Sequence, residues 1–172
     1  MKRIAMFRKV SVEQFIKSMK DAFGDKYPED EIKNIYDNIR LPKRATKGSA
    51  GYDFYTPVAF TLKPGETIKI PTGIRCKMED GWVLKLYPRS GLGFKYRLQL
   101  DNTVGIIDAD YFNADNEGHI MAKITNNSSS TDKFVILDKN TAFIQGIFVE
   151  FGITVDDDAD GERTGGFGST GI

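Results

Sequence analysis

The sequence predicts an all-β sandwich or barrel that carries a two-helix insert near its start. Three observations predict it. From Tyr52 onward, short apolar or alternating runs follow one another at close spacing, divided by turn formers. Helical periodicity is confined to residues 11–40. The 172 residues suggest one domain, long enough to bury roughly 70% of the surface its unfolded chain exposes.

Residues 2–10 alternate loosely and read as a first strand. Ser11-Val-Glu-Gln14 then has the form of a capping box, with Ser11 as N-cap and Gln14 reaching back. Phe15, Met19, Ala22 and Phe23 recur at helical spacing, and Gly24 ends this helix. A second helix starts near Pro28, which suits a first turn, and Glu29, Asp30 and Glu31 stand where the helix dipole favours acids. Ile32, Ile35, Tyr36 and Ile39 form its apolar face, and Pro42 stops it. Two short amphipathic helices are not expected to stand alone in water, so they pack on the body or on a partner. Their role is expected to be accessory: deleting them lowers stability and leaves substrate choice intact.

Strands are expected at Thr67–Ile70, Trp82–Tyr87, Leu98–Leu100, Ile120–Thr125, Phe134–Leu137 and Ile144–Ile153. Pro-Gly at 64–65, Asp-Gly at 80–81 and the Asn/Ser run at 126–130 break them. No internal repeat is present. Residues 156–161 are acidic and polar, and read as a mobile linker. Their resemblance to a calcium loop fails at its twelfth position, which is Phe167 and not Glu.

Composition excludes several classes. Equal numbers of basic and acidic residues, 24 each, argue against a nucleic-acid duplex binder. The chain shows no signal-peptide core and no membrane span. The single cysteine, Cys76, allows no intrachain disulfide and fits a reducing compartment, the cytoplasm. With His119 as the only histidine, Cys76 reads as a core residue and not a nucleophile, and no His/Cys cluster exists to bind zinc.

The stretch Asn102-Thr-Val-Gly-Ile-Ile-Asp-Ala-Asp-Tyr111 concentrates chemistry. Gly105 between β-branched residues marks a close backbone approach. Asp108 just beyond is placed to orient a water, although an ordinary hairpin explains the stretch equally well by itself. Four further segments accompany it: Ser49-Ala-Gly-Tyr-Asp-Phe54, Pro88-Arg-Ser-Gly-Leu92, Ala142-Phe-Ile-Gln145 and Arg163-Thr-Gly-Gly-Phe-Gly-Ser-Thr-Gly171. In this order the five resemble the five motifs of the homotrimeric dUTPases, the dUTP nucleotidohydrolases, from Leu41 to the C-terminus. There are departures. Ala142 stands where the family usually has Arg, so a structural ion pair is expected to be missing. The fifth segment is one residue short after Arg163. Asn113 replaces a Gly, and residues 113–117 look like an insertion at a hairpin tip.

The resemblance implies a distorted jelly-roll barrel over residues 1–155, including the insert 11–40, and a C-terminal tail at 156–172 carrying a Gly-rich lid. It implies hydrolysis of dUTP to dUMP and pyrophosphate, with Asp108 as general base. Arg89, Ser90 and Gly91 would grip phosphates, with a structural role for Arg89 left open; Gln145 would help, or would simply pair in its strand. The backbone near Asn102–Ile107, with Gly105, Ile106 and Ile107, would read uracil, Asn102 would add a side-chain bond, and Met121 would close the pocket. Tyr111 would lie under the sugar and exclude a 2′-hydroxyl. Arg163 and Ser169 would reach the γ-phosphate, and Phe167, beside Gly168, would stack on the base. Mg2+ would sit on the phosphates, with Asp53 contacting it through water; a buried Asp53 satisfied by backbone donors is the equal alternative. The family assembles its sites from three subunits. Two rivals remain: a dCTP deaminase-like enzyme, which needs a glutamate where Asp108 stands, and a regulatory module that holds a protein partner.

Overall fold

The computed structural model describes residues 2–161 and Gly165. Twelve strands are described: β1 (Ala5–Lys9), β2 (Lys43–Arg44), β3 (Tyr52–Tyr55), β4 (Phe60–Leu62), β5 (Thr67–Pro71), β6 (Ile74–Met78), β7 (Trp82–Pro88), β8 (Leu98–Leu100), β9 (Gly105–Ile107), β10 (Met121–Asn126), β11 (Val135–Leu137) and β12 (Ala142–Glu150). The helices are α1 (Val12–Phe23), α2 (Glu29–Asp37) and α3 (Ser90–Tyr96). No helix of the described residues is long and apolar enough to cross a membrane.

The strands form four antiparallel sheets, ordered β2-β3-β12-β7-β9, β5-β10-β8, β1-β6 and β4-β11. The expected closed barrel does not form among these residues: each sheet stops at its edges. The reason is local. Most strands are short, and β12 shifts register between Ala142 and Ile144 where it meets β3, which bends the strand. Ala142, at that bulge, pairs with Tyr55.

Predicted strands are found within a few residues of their expected limits. Six elements were not among those expected: β2, β3, β4, β6, β9 and α3. The alternation of β6 was available in the sequence: Ile74, Cys76 and Met78 are buried, while Arg75 and Lys77 are not. The segment β9 had been read only as a motif. Helix α3 holds Gly91 and Gly93, poor helix formers, and no local signal announces it.

The insert packs into the body. Phe15, Met19 and Ile32 are fully buried in the same core cluster as Phe54, Leu84 and Ile124. Gly73, at φ +73, has no room for a side chain, because Phe15 and Ile39 lie over it. The Ser11 hydroxyl caps α1 by accepting from the Gln14 N–H at 3.1 Å. The reciprocal half of the predicted box is absent. Gln14 instead bonds Ser18 at 3.0 Å, and the Ser11 N–H donates to Glu117 at 2.8 Å. Pro28 stands just before α2 and not inside its first turn, and α2 ends at Asp37, before Pro42.

Candidate active site

Three of the five segments meet at one end of the largest sheet. Arg89 follows β7, Asp53 lies on β3, and Gln145 on β12 stands between them, opposite Asp53 on one side and Tyr87 on the other. The Arg89 Nε atom contacts Asp53 Oδ1 at 3.2 Å. Asp53 is therefore held by a cation. Gln145 Nε2 donates to the Pro88 carbonyl at 3.5 Å, a long bond. A Cβ on Gly51 would stand 2.7 Å from Gln145 Oε1, so this glycine makes room for the amide. Arg89, Ser90 and Gly91 are exposed. Donors in that setting are available to an anion.

The Asp108 carboxyl lies elsewhere. Strand β9 runs antiparallel to β7, pairing Gly105 with Leu86 and Ile107 with Leu84. A Cβ on Gly105 would come within 3.1 Å of Leu86, which is the close approach its position suggested. This register puts half-buried Asp108 beyond Leu84, while Arg89 leaves the opposite end of β7. From Leu84 to Arg89, an extended strand spans roughly 17 Å. Within one chain, the carboxylate and the Arg89–Gly91 donors are thus far apart.

The segment around Asn102 is not a paired hairpin. Strand β8 joins β10, whereas β9 joins β7, so residues 101–104 cross between sheets. Thr103 takes φ +62 there. Asn102 is exposed and Ile106 is 47% exposed, whereas Gly105 and Ile107 are buried. The side chain of Ile106 faces out with the turn, available to a ligand.

Tyr111 is buried, and its hydroxyl donates to the His119 carbonyl at 2.8 Å while accepting from Asn116 Nδ2 at 2.8 Å. Residues 113–117 are no hairpin tip. A 3-10 turn over Asp110–Asn113 folds the loop back, and Gly118, at φ +66, lies against the Tyr111 backbone. A Cβ on Gly118 would stand 2.5 Å from the Tyr111 carbonyl oxygen. Arg75 holds the loop from β6: it bonds the Phe112 carbonyl, stacks 3.6 Å over the Phe112 ring and approaches Glu117 at 3.7 Å. Burial alone would raise the Glu117 pKa, but the Ser11 hydrogen bonds and the Arg75 charge outweigh it and hold the carboxyl below its ordinary value.

His119 is fully buried, and burial pushes its pKa down from 6.5 to about 4. Its Nε2 accepts from the Gly73 N–H at 2.8 Å, so Nδ1 carries the proton and donates to Ser18 Oγ at 2.9 Å. Sequence reasoning missed Ser18, Arg75, Glu117 and His119 as neighbours of the site. The partners lie too far apart along the chain for any spacing signal. Met121 lines a cavity of about 420 Å³ together with Asn116 and Lys69, and with Ser18 and Lys17 of α1. Burial raises the Cys76 pKa to about 12, so a thiolate is not available there. Arg163, Phe167, Gly168 and Ser169 lie outside the described residues.

Among the described residues, no group of three His, Cys, Asp or Glu side chains is arranged to hold a metal. A magnesium ion held mainly by phosphate oxygens and water asks for little more than one carboxylate. Asp53, with one oxygen facing Arg89, offers such a carboxylate.

The sequence pattern of the dUTPase family matches residues 37–171. A deoxyuridine 5'-triphosphate nucleotidohydrolase of Lactococcus lactis is 44% identical over 147 residues, covering 82% of this chain and 95% of the relative. The crystal structure of a dUTPase from Streptococcus mutans, 34% identical, covers 86% of this chain and 97% of its own, with a TM-score of 0.61. A mutant dUTPase from phage phi11 of S. aureus, described with a structural Mg(II) ion, covers 92% of this chain and 98% of its own at a TM-score of 0.62. At 20% identity, that last likeness speaks for the fold alone.

Proposed function

This chain belongs to the dUTPase family, and from that premise we propose that it hydrolyses dUTP to dUMP and pyrophosphate at sites shared between subunits of a homotrimer. The observation that carries the shared site is the register of β7 and β9, which sends Asp108 and Arg89 to opposite ends of one strand. A second copy must bring the missing half.

The Asp108 carboxylate takes the proton of the water that attacks the α-phosphate, as general base. Ser90 and the backbone N–H groups of the exposed 89–91 segment donate to phosphate oxygens, and Arg89 adds charge-assisted bonds while fixing Asp53. Gln145 supports this grip from β12. Mg2+ on the phosphates would supply charge neutralisation, and Asp53 would help to hold it through water. The backbone of 102–107 offers uracil a donor and acceptor pattern that cytosine mismatches, with Met121 closing the pocket. Such a site discriminates strongly, because a wrong edge leaves buried polar groups unpaired. The Tyr111 ring lies under the deoxyribose and leaves no space for a 2′-hydroxyl. Arg163 and Ser169 reach the γ-phosphate, Gly168 lets the tail approach closely, and Phe167 stacks on the base. A single buried thiol supports the cytoplasm as the compartment.

Complementation tests the assembly. Asp108→Asn and Ser90→Ala variants are each assayed for pyrophosphate release from dUTP with Mg2+, then unfolded, mixed and refolded together. Mixed trimers regain activity if base and grip come from different chains. No recovery in verified mixed trimers overturns the shared site, and comparable rates on dTTP or UTP overturn the substrate reading.

A further inference from the structure

The N-terminal insert reaches the loop that carries Tyr111, and does so through polar side chains. Two points of α1 make the connection. At its start, Ser11 donates both its N–H and its hydroxyl to Glu117. Two turns further, Ser18 accepts from His119 at 2.9 Å. His119 passes the contact on, because its carbonyl oxygen receives the Tyr111 hydroxyl at 2.8 Å. Asn116 closes the loop on itself: its Nδ2 donates to the same hydroxyl and its Oδ1 accepts from the Gly118 N–H at 3.2 Å.

We propose that helix α1 positions Tyr111 through Ser18 and His119, and so helps to set the preference for deoxyribose over ribose. The proposal rests on the assignment of Tyr111 to the sugar. Ser18 and His119 are positioning residues, since neither is placed on the substrate. The expectation that the insert is accessory is then incomplete. A segment outside the family match shapes a residue inside it: α1 ends at Phe23, and the match begins at residue 37.

The geometry explains why a small change at Ser18 is felt at Tyr111. Ser18 is only 7% exposed and His119 is 0% exposed. Removing the Ser18 hydroxyl strands a buried N–H, which has two ways to relax, by turning the imidazole or by shifting its backbone. Turning the ring would break the bond that its Nε2 accepts from the Gly73 N–H, so the backbone shifts instead, and that shift displaces the carbonyl that holds the phenol. The cavity between α1 and the body lies beside this path, lined by Ser18, Asn116 and Met121, so the loop has open space into which to move.

The test compares the ratio of kcat/KM for dUTP over UTP in four full-length variants. Ser18→Ala is expected to lower that ratio by about tenfold, inside the ~10²-fold that a misplacement of order 1 Å can cost. Glu117→Gln, at a half-exposed position, is the second arm should Ser18→Ala fold poorly, and it moves the ratio the same way. Ile32→Val loosens the insert from α2 without touching this path, and leaves the ratio unchanged. Tyr111→Ala abolishes the discrimination. If Tyr111→Ala discriminates normally, the sugar assignment falls and the proposal with it. If Tyr111→Ala fails to discriminate while Ser18→Ala and Glu117→Gln match the parent, only the proposal is overturned. An equal drop in Ile32→Val and Ser18→Ala also overturns it, because loss of stability then explains both.

Discussion

The two ends of β7 are built to different standards. At the Arg89 end, side chains add only one ion pair at 3.2 Å and one long amide contact at 3.5 Å to the strand pairing, and Ser90 and Gly91 face solvent. At the other end, the loop from Asp110 to His119 is tied from three sides, by Arg75, by α1 and by its own Asn116. In the proposed shared site, the difference teaches which half one chain finishes alone. The loop around Tyr111 is preorganised by contacts buried within the chain. The Arg89 end is open, as the proposed assembly requires of a surface that receives groups from another subunit.

The largest expected effect sharpens this contrast by separating chemistry from construction. Asp108→Asn leaves both ends folded and keeps dUTP binding, yet lowers kcat by roughly 10²–10⁴-fold. Single-turnover rates and equilibrium dialysis measure the two quantities. Near-normal turnover would remove Asp108 from its role as base.

Gly118→Ala attacks the preorganised end. Its Cβ would stand 2.5 Å from the Tyr111 oxygen and 2.8 Å from Phe112 Cα, at a positive φ. Such overpacking destabilises by about 3 kcal/mol or more. A urea unfolding midpoint close to the parent's would show that the loop is softer than its contacts suggest.

Acid should loosen the same end first. His119 is neutral in the fold with a pKa near 4, against an ordinary 6.5. Below 6.5 the unfolded chain takes up a proton that the folded chain does not. Stability from this group is therefore present above pH 6.5 and is lost as pH falls toward 4, at ~1.4 kcal/mol per pH unit within that window. Glu117, held below its ordinary value by Ser11 and Arg75, adds a loss of the same sign at lower pH. Unfolding curves across this range check the slope, and His119→Gln should flatten it.

The smallest effect belongs to the open end. Asp53→Asn breaks the pair with Arg89, whose side chain is 45% exposed. An exposed partner limits such a pair to within about 1 kcal/mol of stability. A thermal shift as large as that of Gly118→Ala would erase the contrast between the two ends.

Much of this was legible in the chain itself. Gly-Ile-Ile-Asp-Ala-Asp-Tyr placed Gly105 at a tight approach, and Leu86 is indeed what it approaches. The apolar stripe of α1 put Phe15 and Met19 in the core, where they are fully buried. Both are local signals: one residue type needs space, the other needs to leave water. The box at Ser11 was half right, because its hydroxyl obeyed local rules while its N–H found Glu117 instead.

The sequence by itself determined the strand periodicity, the two helices of the insert and the five segments that carry the family resemblance. Tertiary structure alone decided that β8 and β9 part into different sheets, that Asp108 and Arg89 leave β7 at opposite ends, and that Ser18 meets His119. The physical reason is range. Periodicity records which side of each element avoids water, whereas register and buried hydrogen bonds join residues far apart in the chain, and only packing brings them together.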